Sequence, residues 1–230
     1  MRKHASVHVL EGDFADLEFL KSQADWLVDL TVTAFVDDIS AVSSLPRLRR
    51  LALWPTSTGR RHTWSADLSN MPALQDLSVG PAVQVRLTDS SQCTIRRLHV
   101  DRITTEFCTT VQALPHVEDL RLDNPQQLPS FIPESVHDLS ISGIKHWNSA
   151  LQFDGVGGLR YLQLENIRGM TDLRAFAAAP PLGRLYIHDC PELRSIDGVS
   201  LAPDADHLFV GGVHSARRWV PNGRSRSAHA

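Results

Sequence analysis

One pattern recurs along almost the whole chain: an apolar residue, two variable residues, an apolar residue, one variable residue and a third apolar residue. Eight clear copies read LVDLTV, LRRLAL, LQDLSV, IRRLHV, VEDLRL, VHDLSI, LRYLQL and LGRLYI, and they begin at positions 27, 48, 74, 95, 117, 136, 159 and 182. Two degenerate copies, HASVHV at 4–9 and ADHLFV at 205–210, bracket the series. Successive copies begin 19 to 26 residues apart, which predicts a repeat protein with a unit of about 22 residues.

The alternation of apolar and polar residues within each copy is typical of a strand with one buried face. Between the copies lie further apolar clusters, such as Ile39, Val42 and Leu45, which we expect to fold back over the inner face of the strand. A single strand with its return segment is too small to enclose these side chains, so neighbouring units must stack to bury them. The sequence therefore predicts one continuous core shared by all units.

This repeat resembles that of the leucine-rich repeat family, whose motif LxxLxLxx(N/C)xL recurs every ~20–29 residues. The resemblance covers roughly residues 4–213, and return segments such as LSNMPALQDLSV and VQALPHVEDLRL are typical of the family. It implies an α/β fold, namely a single right-handed solenoid with a parallel β-sheet on the concave face. The returns on the convex face are then short and helical, 3-10 or extended.

The chain departs from the family at the ninth position of each unit, where the family places an asparagine that bonds the turns of adjacent units. Most residues at this position are apolar, so we expect apolar packing to replace the polar ladder. The ninth-position residues are Phe35, Thr56, Ala82, Ile103, Pro125, Ile144, Ile167, Cys190 and Val213.

The units are expected to form one domain over residues 1–220, made of about ten units. Residues 1–26 are the N-terminal unit or cap in this interpretation, and the apolar residues of segment 11–26 suggest a helix within it. A solenoid exposes its terminal units, so each end needs such a cap.

At the other end, residues 205–220 are interpreted as the C-terminal unit or cap, with Trp219 and Val220 covering the core. Residues 221–230 lack large apolar side chains and are predicted to be a disordered tail. Within the solenoid, segment 82–87 also alternates. It is either an additional short strand on the convex side or the main strand of its unit, and the regular spacing favours the additional strand.

Composition restricts the partner and the compartment. Hydrophobic residues make up 42% of the 230 residues and the formal charge is -3, so the chain lacks the basic excess of a nucleic-acid binder. No apolar run approaches the length of a membrane span. Three unpaired cysteines and the absence of a cysteine-rich cap favour a cytoplasmic protein, and the preference for arginine over lysine suggests a bacterial genome. A secreted effector remains an alternative.

Outward side chains of in-register parallel strands form rows that cross the sheet at about 4.8 Å per strand. Charges of both signs interleave along these rows, with Arg97 predicted to lie one strand from Asp119 and beside Arg121. Two interpretations stay open: these side chains pair with one another across strands, or they select an oppositely patterned partner. A mixed face suits a protein partner better than a phosphate backbone.

Aromatic side chains gather on the outward positions of the C-terminal half. Tyr161, Tyr186 and Phe209 fall on three successive predicted strands, with Arg184 nearby. Exposed aromatics beside arginine are typical of interface anchors, although Phe209 on its own is expected to pack under the C-terminal cap. Trp54 is either a further anchor or a loop-packing residue.

The predicted partner-binding residues are Arg97, Asp119, Arg121, Tyr161, Arg184 and Tyr186.

Sequence motifs of catalysis are absent: the chain has no GxSxG, HExxH, GxxxxGK[ST] or helix-opening GxGxxG motif. The adjacent His188, Asp189 and Cys190 include metal-ligand types, but Cys190 fits the ninth-position slot of the repeat. We therefore expect a non-catalytic, monomeric module that binds a protein or peptide, with no cofactor, metal, nucleic acid or membrane. An effector or toxin-neutralising protein would act by the same binding. The alternative is a hydrolase whose residues converge only in three dimensions, for which a buried carboxylate beside His99 or His188 would be the sign.

Overall fold

The computed structural model describes residues 5–9, 12–56, 63–87, 93–112, 114–149 and 151–213 of the chain. Within these residues the fold is α/β, dominated by one parallel sheet of ten strands that follow one another in chain order. The strands are Ala5–Val9, Leu27–Val32, Arg50–Leu53, Asp76–Val79, Arg97–Asp101, Asp119–Asp123, Asp138–Ser142, Tyr161–Glu165, Arg184–His188 and His207–Gly211. Each of the ten repeat copies supplies one strand, so the predicted strands are confirmed.

Neighbouring strands pair so that equivalent motif positions lie side by side. Leu98 pairs with Leu120, Leu120 with Leu139 and Leu139 with Leu162, and the same register extends to the end of the sheet. Because side chains alternate between the two faces of a strand, this register puts every fourth-position leucine on one face. These leucines are buried across the sheet, apart from Leu208 on the last strand, which is 42% exposed.

Return segments cover this apolar face. They include 3-10 helices, an α-helix and two small parallel pairs of strands outside the main sheet, and their apolar residues Ile39, Val42 and Leu45 are fully enclosed. The 3-10 helices are Glu18–Gln23, Ser40–Ser44, Val156–Gly158 and Arg174–Phe176, the α-helix is Thr105–Gln112, and the strand pairs join Asp13–Asp16 to Phe35–Asp38 and Trp64–Asp67 to Val83–Arg86. None of the helices found in the described parts of the chain is long and apolar enough to cross a membrane.

The N-terminal return agrees in part with the helix expected within 11–26. Asp13–Asp16 is a strand whose backbone pairs with Phe35–Asp38, and a 3-10 helix over Glu18–Gln23 follows it. Pairing with a neighbouring unit supplies the hydrogen bonds that a helix would have made internally. The spacing of Leu17 and Leu20, both fully buried, matches the three residues per turn of a 3-10 helix.

The ambiguous segment 82–87 is a separate strand. Val83–Arg86 pairs with Trp64–Asp67 and lies outside the ten-stranded sheet, where Asp76–Val79 keeps its place. This confirms the additional strand rather than the alternative. The predicted cap residues Trp219 and Val220 and the predicted tail 221–230 lie outside the described residues.

Apolar packing occupies the ninth position of most units, as expected. Phe35, Ile103, Ile144, Ile167 and Cys190 are all buried there. The Cys190 thiol donates a weak hydrogen bond to the carbonyl oxygen of His188 at 3.5 Å, and burial raises its pKa to about 11. Cys190 is therefore a protonated core residue rather than a nucleophile or ligand.

From the unit that begins at 95 onwards, the eighth position turns the chain away from the sheet through a left-handed backbone conformation. Arg102, Asn124, Asn166 and Asp189 have φ of 58°, 46°, 52° and 50°, and glycine takes the same role at Gly143 with φ of 73°. Left-handed backbone is costly for residues with a Cβ atom, and asparagine and aspartate tolerate it best. The same turn thus recurs in these units although its residue type varies.

Gly143→Ala tests this turn. A Cβ atom at Gly143 would meet the Asn124 side chain as well as the left-handed backbone, so the free energy of unfolding should fall by about 1–2 kcal/mol. Urea denaturation measures the change. Gly157→Ala is the control, because a Cβ atom there has no neighbour within 4 Å and φ is not positive, and it should change stability by less than about 0.5 kcal/mol. Equal effects of the two variants would contradict the proposed strain.

Candidate functional site

The outward face of the sheet carries the second, third, fifth and seventh positions of each unit, and we call it the outer face. The observed register confirms that equivalent positions form rows across it. The third-position row runs Asp29, Arg50, Asp76, Arg97, Asp119, Asp138, Tyr161, Arg184 and His207, and the fifth-position row runs His8, Thr31, Ala52, Ser78, His99, Arg121, Ser140, Gln163, Tyr186 and Phe209.

Charged side chains in the N-terminal half of the outer face pair with one another. The Arg50 guanidinium lies 2.8 Å from the Asp29 carboxylate. Arg97 donates two hydrogen bonds to Asp76, at 2.5 and 2.7 Å, and these bonds raise the pKa of its guanidinium. The first of the two interpretations of the interleaved charges therefore holds for this half. Such exposed pairs contribute little to stability, but they fix side-chain positions.

A half-buried carboxylate, Asp123, lies at the centre of the outer face. It accepts hydrogen bonds from the Ser142 hydroxyl at 2.7 Å and from the Arg121 Nε at 3.1 Å, and His99 Nε2 lies 2.7 Å away. Burial alone would raise the pKa of Asp123, but the hydrogen bonds from His99 and Ser142 and the charge of Arg121 outweigh it and lower the pKa to about 2. Asp123 is thus an anion at neutral pH.

His99 joins Asp123 to Ser78. The ionised Asp123 can only accept a hydrogen bond, so Nε2 of His99 must carry a proton. In neutral His99 the other nitrogen, Nδ1, then accepts a hydrogen bond from the Ser78 hydroxyl, 3.1 Å away. The Trp54 ring lies against His99, with centroids 5.1 Å apart.

Trp54 also explains why the residue after the neighbouring strand Asp76–Val79 is a glycine, Gly80. A Cβ atom at Gly80 would lie 2.7 Å from Trp54 Cε3, so only glycine leaves room for the indole ring. Trp54 is half-buried, and it packs over the backbone of Gly80 beside His99. Trp54 therefore packs on the outer face, and its role as an anchor stays a prediction.

Asp119 and Asp138 are neighbours in the third-position row. Neither side chain makes a hydrogen bond or ion pair with another residue that the structure describes, although both backbone amides are bonded within the sheet. Burial raises the pKa of Asp119, and the negative charge of Asp138 raises it further, against the weaker opposing effect of Arg97 and Arg121. This part of the face holds negative charge that its own arginines do not fully neutralise.

An aromatic patch, formed by Tyr161, Tyr186 and Phe209, covers the C-terminal half of the outer face. The rings of Tyr186 and Phe209 stack with centroids 4.7 Å apart and an interplanar angle of 13°. The Tyr161 hydroxyl donates to the Gln163 side chain at 2.8 Å, and the Arg184 guanidinium lies 5.8 Å from the Tyr161 ring centre. Phe209 is 39% exposed, and the cap residues expected to cover it lie outside the described residues.

Shallow cavities of similar size lie over the two halves of the face. One of about 400 Å³ is lined by Ser78 and His99 and by the ion pairs Asp29–Arg50 and Asp76–Arg97. Another of about 380 Å³ is lined by Asp138, Arg160, Tyr161 and Arg184, together with acidic residues of the last unit. Both are open depressions on a sheet rather than enclosed pockets.

All six predicted partner-binding residues lie on the outer face, in two groups. Arg97 and Arg121 are held by Asp76 and Asp123, whereas Tyr161, Arg184 and Tyr186 belong to or border the aromatic patch, and Asp119 lies between the groups. Sequence reasoning missed Ser78, Asp123 and Asp138 as site residues. Their row positions were readable from the repeat, but their contacts depend on side-chain conformations that the repeat does not specify.

Nothing in the described parts of the chain groups three or more histidine, cysteine, aspartate or glutamate side chains in a way that could hold a metal ion. No family model and no curated protein matches the sequence. The function therefore has to be inferred from the outer face itself.

Asp123→Asn tests the central network. Because the pKa of Asp123 is lower in the folded chain than the ordinary value of 3.8, its charge stabilises the fold above about pH 4, and this stabilisation disappears as the pH falls towards 2. The variant should lose about 2 kcal/mol of unfolding free energy at pH 7 and converge with the wild type near pH 2. Denaturant titrations across this pH range measure it. A constant difference at all pH values would show that the charge is not responsible.

Proposed function

We propose that the chain is a right-handed, leucine-rich-repeat-type solenoid whose outer face, the concave face of the solenoid, binds a protein or peptide without catalysis. The observation that carries the proposal is the aromatic patch. Its rings stand on successive strands and stay partly exposed, while the charges of the N-terminal half are satisfied internally. Large aromatic side chains beside arginine are typical anchors of protein interfaces.

The sheet makes these anchors effective because they are already in place. Stacking on Phe209 fixes the ring of Tyr186, and a hydrogen bond to Gln163 fixes Tyr161. Binding a partner therefore costs little conformational entropy at these two side chains. Covering an aromatic side chain of this kind contributes about 1.5–3 kcal/mol. Binding of a peptide across several strands would therefore depend mainly on the aromatic patch, and the paired charges around it would exclude mismatched partners.

In this proposal the protein acts as a cytoplasmic monomer with no cofactor. An adaptor, an effector and a toxin-neutralising protein would all use the same surface in the same way. The chemistry of the outer face supports the binding mode common to all three and does not select among them.

The double variant Tyr161→Ala with Tyr186→Ala tests the site. Peptides selected from a random display library on the wild-type chain should bind this variant at least tenfold more weakly, because it removes two anchors. Fluorescence anisotropy with the labelled peptides measures the loss. Phe19→Ala is the matched control, since Phe19 is 49% exposed on the 3-10 helix Glu18–Gln23, away from the outer face. Equal binding to the double variant and to the control would contradict the proposal.

A second candidate function, hydrolysis, is favoured by the connection from Ser78 through His99 to Asp123. A carboxylate that orients a histidine, which in turn accepts a proton from a serine, is the arrangement of serine hydrolases. The Ser78 oxygen would attack an ester carbonyl carbon and pass its proton to His99, which would return it to the departing alcohol. Water would then release the acid by the reverse route.

The surroundings of Ser78 weigh against this candidate. Ser78 lies inside the strand Asp76–Val79, which pairs on both sides, so its neighbouring amides are engaged in the sheet. Serine hydrolases depend on free amides or similar donors to stabilise the oxyanion. The nearby guanidinium of Arg97 is bound to Asp76 and does not supply such a donor freely.

A fluorophosphonate probe separates the two candidates. A binding module should remain unlabelled, and intact-mass spectrometry should show no probe adduct on either the wild type or Ser78→Ala. Stoichiometric labelling of the wild type that disappears in Ser78→Ala and in His99→Ala would establish a reactive serine and overturn the non-catalytic proposal.

A further inference from the structure

Charge is distributed unevenly over the outer face. In the units that begin at 27, 48, 74 and 95 the outward positions hold slightly more arginines than carboxylates, whereas from the unit at 117 onwards carboxylates outnumber arginines by six to three. The six carboxylates are Glu118, Asp119, Asp123, Asp138, Glu165 and Asp206, and the three arginines are Arg121, Arg160 and Arg184. The aromatic patch lies in this acidic half.

Most of these charges have partners within the face. Glu118 pairs with Arg96 at 3.0 Å, Asp123 with Arg121 and His99, and Asp206 with Arg184 at 3.6 Å. Asp119 and Asp138 differ, because no ion pair to either of them is formed within the part of the chain that the structure describes. Each is half-buried on its strand, so their charge is only partly dispersed by solvent.

The residues that flank the two aspartates in the row, Arg97 and Tyr161, restrict the kind of group that can bind over the aspartates. On one side is Arg97, whose Nε and Nη2 groups are both bonded to Asp76. On the other side is the ring of Tyr161, which already has the Arg184 guanidinium 5.8 Å from its centre and so tolerates a cation nearby. Two adjacent carboxylates bordered by an aromatic ring match a guanidinium or ammonium group, which can bond both.

We propose that Asp119 and Asp138 receive a cationic side chain, arginine or lysine, from the protein or peptide bound on the outer face, while the stacked rings of Tyr186 and Phe209 receive a neighbouring apolar side chain. This inference rests on the proposed function and specifies the partner as a basic segment with an adjacent apolar residue. An incoming cation neutralises the repulsion between the two aspartates, so binding gains energy that no internal arginine supplies. A phosphate group on a partner is negatively charged like the two aspartates and would be repelled by them.

N-Acetylarginine amide is the probe of the aspartate pair, and N-acetylcitrulline amide, which has nearly the same shape without the charge, is its control. Two-dimensional amide NMR spectra of the wild type should show saturable shifts along strands Asp119–Asp123 and Asp138–Ser142 with the arginine probe. The citrulline probe should bind at least tenfold more weakly. The response should weaken as salt is added, as expected for a charge interaction that remains partly exposed.

Asp119→Asn with Asp138→Asn should abolish the preference for the charged probe. Asp13→Asn with Asp25→Asn removes the same charge from exposed positions away from the outer face and should leave the preference intact. The aspartate variant should fold, since it removes a repulsion, and circular dichroism checks this. Equal shifts with both probes, or shifts retained in Asp119→Asn with Asp138→Asn, would overturn the inference. The proposed function is contradicted by a different result, namely that the selected peptides bind Tyr161→Ala with Tyr186→Ala as tightly as they bind the wild type.

Discussion

The in-register pairing of successive parallel strands is the interaction on which the rest of this molecule depends. No unit can enclose its own leucines, and each is buried only because both neighbouring strands place an equivalent leucine at the same height. Leu162 and Leu185, with described strands on both sides, are fully buried. Leu208 occupies the same motif position on the last described strand and is 42% exposed. Burial in this chain is therefore a property of neighbouring units and not of the single repeat.

The same register determines the chemistry of the outer face. It converts a separation of about 22 residues in sequence into about 4.8 Å in space, so that each outward side chain meets its equivalents in the adjacent units. Where acidic and basic residues alternate, as from Asp29 through Arg97, they neutralise one another. Where the alternation breaks, at Asp119 and Asp138, two like charges become neighbours. The third-position row thus has one place where two aspartates are adjacent, and their side chains there have no ion-pair partner among the described residues.

The sequence was sufficient for the strands, their order and the rows, because all three follow from the period of the apolar pattern. It was insufficient where backbone partners or side-chain conformations decide the outcome. The N-terminal segment was expected to contain a helix and has one at Glu18–Gln23, but the strand Asp13–Asp16 before it, which pairs with Phe35–Asp38, was not predicted. His99 contacts Ser78, its neighbour in the fifth-position row, but its contact with Asp123 runs diagonally to the seventh position of the next strand, so no row predicts it. The eighth-position turn was missed because its residue type varies among arginine, asparagine, aspartate and glycine, so that no single residue marks it.

The paired and the unpaired regions of the outer face differ in what they offer a partner. A partner that replaced the Arg97–Asp76 pair would have to break two charge-assisted hydrogen bonds and leave one ion without its counterpart, which usually cancels the gain. Contact with the aromatic patch breaks no such pair, because the partly exposed faces of the rings are apolar and carry no ion pair. The internally paired half is therefore suited to hold the shape of the face and to reject poorly matched charges. In the binding that we propose, the energy of association would come from the half in which the rings and the two aspartates lie together.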